Sequence, residues 1–305
     1  PAPPETIVPD EALLWRPDVP LPTAEAIPFP DHITHVEVEH AQAGEYQWLY
    51  DPTVAVHEGA LIVGWANCWR HELDAGGVIR ARQSRDGGQT WLAVQCITPE
   101  PDEAARAAHD IPVDGMRDAR DALTSAQRAR LRAHDGRGPD RYMTPHFLSH
   151  GGRLWLFAAV YGIGEVTGRH PGLRTVCFLW DSDADSWVSK GAVVDGFMPM
   201  NAPQCMPDGR WFMSGQDADG QPMAAICSSD ELRLWHATPI DPGQSATNLA
   251  ETALFVEGLQ LTAVMRNQGP RGHRLKALLS VSRDGGRRWS RIQETNYPMA
   301  SAKPF

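Results

Sequence analysis

The sequence predicts an all-β propeller, and three observations carry that reading. Short apolar runs come in groups, with Gly or Asp-Gly between the first two of each group, as in β-hairpins. The groups recur about every 50 residues, the size of a propeller blade. Each ends on a polar turn closed by a tryptophan, at Trp91, Trp187, Trp235 and Trp289. Stacked helical repeats would need an apolar period of about 3.6 residues, and the runs do not carry one.

Four units follow in order. The first reads DPTVAVHEGALIVGW and then GVIRARQSRDGGQTW. The second reads TPHFLSHGGRLWLFAAVYG and then RTVCFLWDSDADSW. The third pairs APQCMPDGRWFMSG with MAAICSSDELRLW, and the fourth ETALFVEGLQLTAVMR with LKALLSVSRDGGRRW. Residues 98 to 140 break the pattern. They are rich in Ala, Arg and Asp, with Thr124 and Gln127 spaced as a capping box and Gly136 as a helix stop. They predict a helical insertion in a single domain spanning 1–305.

Composition narrows the function. Of 305 residues, 42% are hydrophobic and 22% charged, enough to bury a large core. The net charge of -10 argues against a nucleic-acid partner, and no apolar run is long enough to span a membrane. The five cysteines, Cys68, Cys96, Cys177, Cys205 and Cys227, include no CxxC pair. An odd number leaves at least one thiol free unless it pairs between chains; no signal peptide is visible, and the sequence leaves the compartment open, with a cytoplasmic one plausible. Cys68, His71 and Glu72 do not follow a zinc spacing, so no metal and no cofactor is expected.

The turn signatures carry a family resemblance. SRDGGQTW (84–91) and SRDGGRRW (282–289) both contain Ser-x-Asp-x-Gly-x-x-Trp, and SSDELRLW (228–235) keeps all but the Gly, replaced by Leu232. This skeleton resembles the Asp box, or BNR repeat, of the sialidase (neuraminidase) superfamily, over about residues 45 to 300. The resemblance implies a sialidase-like β-propeller of five or six blades, four of them recognisable here. The boxes themselves read as structural: Gly for a tight turn, Asp to accept backbone N–H bonds, Trp to pin the turn to the sheet.

Chemistry is expected where innermost strands open onto the central channel. Aligning the units on their Gly turns places Asp51, Thr144, Ala202 and Glu251 together, with His146 and Gln204 just after the prolines. Asp51, His146 and Glu251 are the expected catalytic groups, and Glu72, Arg80, Gln204 and Arg266 the expected substrate contacts. By resemblance, Glu251 matches the sialidase Glu that polarises a tyrosine nucleophile, and Arg266 one of the arginines that grip the substrate carboxylate. A guanidinium suits that grip because its planar fork can meet a carboxylate twice. The sialidase Arg-Ile-Pro motif is absent; the equivalent stretch, EYQWLYDPTV, has Asp51 instead. Tyr297 fits no tyrosine motif, and YPMASAKPF reads as the start of a further inner strand; either a smaller propeller closes with the N-terminal HITHVEVEH or, the favoured reading, the chain is a fragment or truncated representative of a larger family.

These residues support an exo-acting glycosidase for a terminal acidic sugar of an oligosaccharide or glycoconjugate. Two rivals stand beside it. A polysaccharide lyase would use His146 to abstract the proton beside a uronate carboxyl. A noncatalytic propeller would bind the glycan without turnover.

Overall fold

The computed structural model describes residues 13–28, 31–41, 46–69, 76–101, 140–162, 172–241, 249–267 and 276–299. Within them the chain forms four antiparallel sheets in sequence order, one for each repeated unit. Blade I contains β1 (Trp48–His57), β2 (Ala60–Cys68), β3 (Val78–Ser84) and β4 (Gln95–Cys96). Blade II contains β5 (Asp140–His150), β6 (Arg153–Gly162), β7 (Arg174–Asp181) and β8 (Ser186–Asp195). Blade III contains β9 (Met198–Pro199), β10 (Gln204–Cys205), β11 (Trp211–Gln216), β12 (Pro222–Cys227) and β13 (His236–Pro239). Blade IV contains β14 (Leu249–Glu257), β15 (Gln260–Asn267), β16 (Lys276–Ser282) and β17 (Gln293–Pro298).

The helical insertion expected over 98–140 falls mostly outside the described residues. Its described flanks are not helical: 98–101 carry no helix, and Asp140 opens β5. A 3-10 turn at Ala24–Ala26 is the helical element among the described residues.

Strand alternation explains the packing. Successive side chains point to opposite faces, and a middle blade has a neighbour on each face. On β6, Leu154, Leu156 and Ala158 pack with Ile62, Ala66 and Ile79 of blade I. Trp155 and Phe157, on the other face, pack with Trp211, Met213 and Trp235 of blade III. Blade III repeats the device, with Phe212 and Ala224 turned to Leu254, Leu261 and Met265 of blade IV. Both faces are buried, so β6 reads as a continuous apolar run. The contact is close: a Cβ on Gly64 would stand 2.7 Å from the Phe147 ring.

The Asp boxes are turn braces, as the sequence indicates. Asp86 Oδ1 accepts the Ser84 hydroxyl (2.7 Å) and the Thr90 N–H (2.9 Å), while Ser84 Oγ accepts the Gly88 N–H at 2.8 Å. Asp284 and Ser282 repeat this with Arg288 and Gly286. Gly88 and Gly286 have φ +91° and +84°. In the third box Leu232 adopts the left-handed region at φ +55° and is fully buried. Core packing there holds a conformation that the other two boxes assign to glycine. The tryptophans differ in burial. Trp235 is 8% exposed and meets Phe157 at 5.9 Å between centroids, whereas Trp91 and Trp289 are half-buried.

Two predictions follow from these braces. Trp235→Ala should cost about 3–5 kcal/mol in denaturant unfolding, and Trp91→Ala clearly less; equal losses would contradict the burial difference. Hydrogen bonds from the Thr90 hydroxyl, the Thr90 N–H and Ser84 lower the Asp86 carboxyl to about 2. A depressed folded-state pKa gives stability that is present above the unfolded value, about 3.9, and lost as pH falls toward the folded one. Asp86→Asn should therefore flatten the fall in melting temperature between about pH 4 and 2. An unchanged profile would show that the brace does not depend on the ionised carboxylate.

Candidate functional site

The innermost strands of three blades share one irregularity. Each pairs regularly with its neighbour near the hairpin turn and then gains one extra residue: between Tyr50 and Thr53 in β1, Met143 and His146 in β5, and Ala250 and Thr252 in β14. At these bulges Asp51, Thr144 and Glu251 take left-handed backbone, with φ +47°, +47° and +44°. Glycine occupies such a position at little cost; other residues cost about 1–3 kcal/mol and concentrate at functional sites. Pro52 and Pro145 follow two of the three, and a residue without an N–H is tolerated where the ladder is interrupted.

Blade III departs from this pattern. Its inner strand breaks into β9, paired with Gly215 and Gln216, and β10, paired with Trp211 and Phe212. Asn201 lies in the break, and its Oδ1 accepts the Ser214 N–H at 2.6 Å. The Ser214 hydroxyl also contacts the Thr252 carbonyl of blade IV, tying the break to the bulge of β14. Gln216, at the end of β11, accepts the Glu251 N–H at 3.4 Å.

Glu251 and Arg266 form the ion pair of the site. Ala250 pairs with Arg266 across β14 and β15, and Glu251, the extra residue of the bulge, reaches the guanidinium with its carboxylate. Arg266 Nη1 stands 2.5 Å from Glu251 Oε2, with the two side chains 23% and 22% exposed. Arg266 Nε is buried without a hydrogen-bond partner.

Four more residues with unpartnered buried atoms lie on or beside the inner strands: Thr144 (Oγ1), Asn201 (Nδ2), Thr252 (Oγ1) and Arg141 (Nε and Nη1). The arginine and asparagine nitrogens can only donate. An unmet buried donor costs about 1–3 kcal/mol, more when charged. The inner strands thus concentrate donors that call for acceptor oxygens.

Arg141, on β5, is 1% exposed, with its guanidinium carbon 4.4 Å from the Tyr161 ring centroid. Its charge acts on Tyr50 of β1. Burial above all, then Cys68, push the Tyr50 phenol well above its usual pKa; Arg141 opposes the shift and Asp51 adds to it.

The structure sorts the expected site residues. Asp51 and Glu251 occupy equivalent bulges, and Thr144 is their counterpart in blade II. His146 sits beyond the bulge, its Nε2 3.4 Å from the Pro199 carbonyl. Gln204 is exposed on β10 and pairs with Phe212 near the hairpin turn, so it does not share the register of His146, which pairs with Phe157 further along. The break in blade III causes this offset. Arg80 lies on β3, 3.7 Å from Glu100, and no hydrogen bond or ion pair among the described residues joins it to Arg266. Glu72 lies outside the described residues. Arg141, Asn201 and Gln216 escaped the sequence alignment. Arg141 lies three residues before the aligned Thr144 and so falls outside the alignment; Asn201 and Gln216 depend on the break, which the sequence does not announce.

The sequence profile of the BNR repeat-like domain matches residues 119–303. This chain belongs to the BNR repeat-like domain family. Among solved structures, the domain is similar to the intramolecular trans-sialidase of Ruminococcus gnavus in complex with oseltamivir carboxylate, with TM-score 0.62 and 12% identity over 86% of this chain and 73% of that one. It is similar to the leech intramolecular trans-sialidase complexed with 2,7-anhydro-Neu5Ac, with TM-score 0.61 and 13% identity over 86% and 53%. It is also similar to the Hadza microbial sialidase Hz136, with TM-score 0.53 and 20% identity over 83% and 47%. The BNR repeat-like chain thus spans about half the length of the last two. No curated protein matches it in sequence. At these identities the likeness is one of fold.

Thr144→Gly should raise stability by about 1 kcal/mol, because it relieves left-handed strain and removes an unpartnered buried hydroxyl. Denaturant unfolding checks this, and a loss above about 1 kcal/mol would show that the bulge is not strained.

Proposed function

We propose that this chain carries the acidic-sugar site of a sialidase-like glycoside hydrolase, with Arg266 gripping the ligand carboxylate. The observation that carries the reading is the Glu251–Arg266 pair at the bulge of β14. Glu251 fixes one edge of the guanidinium at 2.5 Å while the Nε donor stays unpartnered. A planar fork held this way is preorganised for a carboxylate. The donors of Asn201, Thr144 and Thr252 suit the ring hydroxyls and the glycosidic oxygen.

Hydrolysis of a glycoside needs a proton donor at the leaving oxygen and stabilisation of an oxocarbenium-like transition state. Asp51 and Glu251 are the two carboxylates on equivalent bulges. We assign Asp51 to proton transfer and Glu251 to orienting Arg266 and stabilising positive charge at the sugar. Noncatalytic binding is the second reading, and burial favours it by raising the phenol of Tyr50, on the bulged strand β1, well above its usual pKa.

Calorimetric titration of N-acetylneuraminic acid tests the grip. Arg266→Ala should weaken it by about 2 kcal/mol, the lower end for truncating one partner of a buried charge pair, and weaken a neutral analogue much less. Equal losses for both would sink the proposal. Release of phenol from an aryl sialoside then separates the readings: turnover that Asp51→Asn abolishes supports the hydrolase, and binding without turnover supports the second reading. Ultraviolet absorbance growing from an unsaturated uronate product would instead mark a lyase.

A further inference from the structure

We propose that blade I carries a second binding site, distinct from the Glu251–Arg266 pair, for a single acidic sugar residue. It is the cleft on the face of β3 turned away from blade II. Alternation along β3 makes this face: Ile79 and Ala81 pack toward blade II, so Arg80 and Arg82 point together to the other side. Both line a cleft of about 190 Å³ with Glu39, Tyr46 and Asn67. That is below the roughly 300–1,000 Å³ of a drug-sized pocket, so the cleft takes one ring and not an extended chain.

Both arginines are held in place, and both keep an unmet donor. The Arg80 guanidinium carbon lies 4.3 Å from the Tyr46 ring centroid, and Tyr46 stacks on Trp69 at 4.6 Å. Arg80 reaches Glu100 at 3.7 Å, and Arg82 reaches Glu39 at 2.9 Å. The Nε atoms of both are buried without hydrogen-bond partners. Two cations with spare donors in one small cleft suit a carboxylate.

The rest of the wall says which carboxylate. Glu39 repels a bare dianion such as phosphate but accepts hydrogen bonds from hydroxyl groups. The Asn67 amide, fixed by Trp65 Nε1 at 3.3 Å and the Trp48 carbonyl at 3.1 Å, adds a further polar group. One carboxylate together with several hydroxyls is the chemistry of a uronic or sialic acid. The site stands on its own geometry and does not depend on the reading of the channel.

The test uses the Arg266→Ala chain, in which the channel grip is removed. Glucuronic acid, N-acetylneuraminic acid, glucose and inorganic phosphate are titrated in turn by calorimetry. One of the two acids should bind, and glucose and phosphate should bind at least about tenfold more weakly. Adding Arg80→Lys or Arg82→Lys should weaken the acid at least about tenfold; lysine keeps the charge but lacks the planar Nε–H. Loss of all acid binding in Arg266→Ala itself, equal binding of glucose or phosphate, or unchanged affinity in both lysine variants would overturn the proposal. A readout without the lysine changes guards against misfolding. The acid should shift the Trp65 indole N–H resonance of the Arg266→Ala chain, and an unmoved resonance at saturating acid also overturns it.

Discussion

The extra residue carried by β1, β5 and β14 turns each innermost strand out of register once, and the proposed site is built around those three turns. In the regular register of the hairpin Glu251 would stand directly opposite Arg266; the bulge puts Ala250 there and makes Glu251 the extra residue, with its carboxylate still on the guanidinium. At the bulges Asp51, Thr144 and Glu251 present the same backbone conformation from three blades. The cost is about 1–3 kcal/mol at each position, offset by large apolar clusters between the blades.

The electrostatics are local. The chain carries a net charge of -10, yet Arg141 on the inner strand β5 and Arg266 on β15, beside the inner strand β14, keep unmet donors. Each buried guanidinium loses hydration when the blades pack, and a ligand oxyanion can restore what was lost. The same logic, on an outward face, applies to Arg80 and Arg82.

Blades and boxes were legible in the sequence because local chemistry writes them. A tight turn selects Gly at 88 and 286, Ser and Asp brace it, and Trp pins it, whatever the rest of the chain does. The Glu251–Arg266 pair was legible as well, since a hairpin fixes which residues face each other. Legibility failed where register changes. Pro203 in the third unit looked equivalent to Pro52 and Pro145, but the broken inner strand of blade III displaces Gln204 toward the hairpin turn and puts Asn201 at the critical level. Leu232 shows the opposite limit: the residue type argued against a box turn, and burial in the core imposed one. Arg141 remained hidden because its partner groups, Tyr50 and Tyr161, come from two blades, and no single-strand pattern joins them.

The most direct measurement is a crystal structure of the chain with N-acetylneuraminic acid bound. The account predicts the carboxylate within hydrogen-bond distance of Arg266 at the channel mouth, with the ring facing Asp51, Thr144 and Glu251. Well-ordered ligand elsewhere, with the Arg266 guanidinium free of it and the three bulges untouched, would contradict the claim that the bulged inner strands form the site.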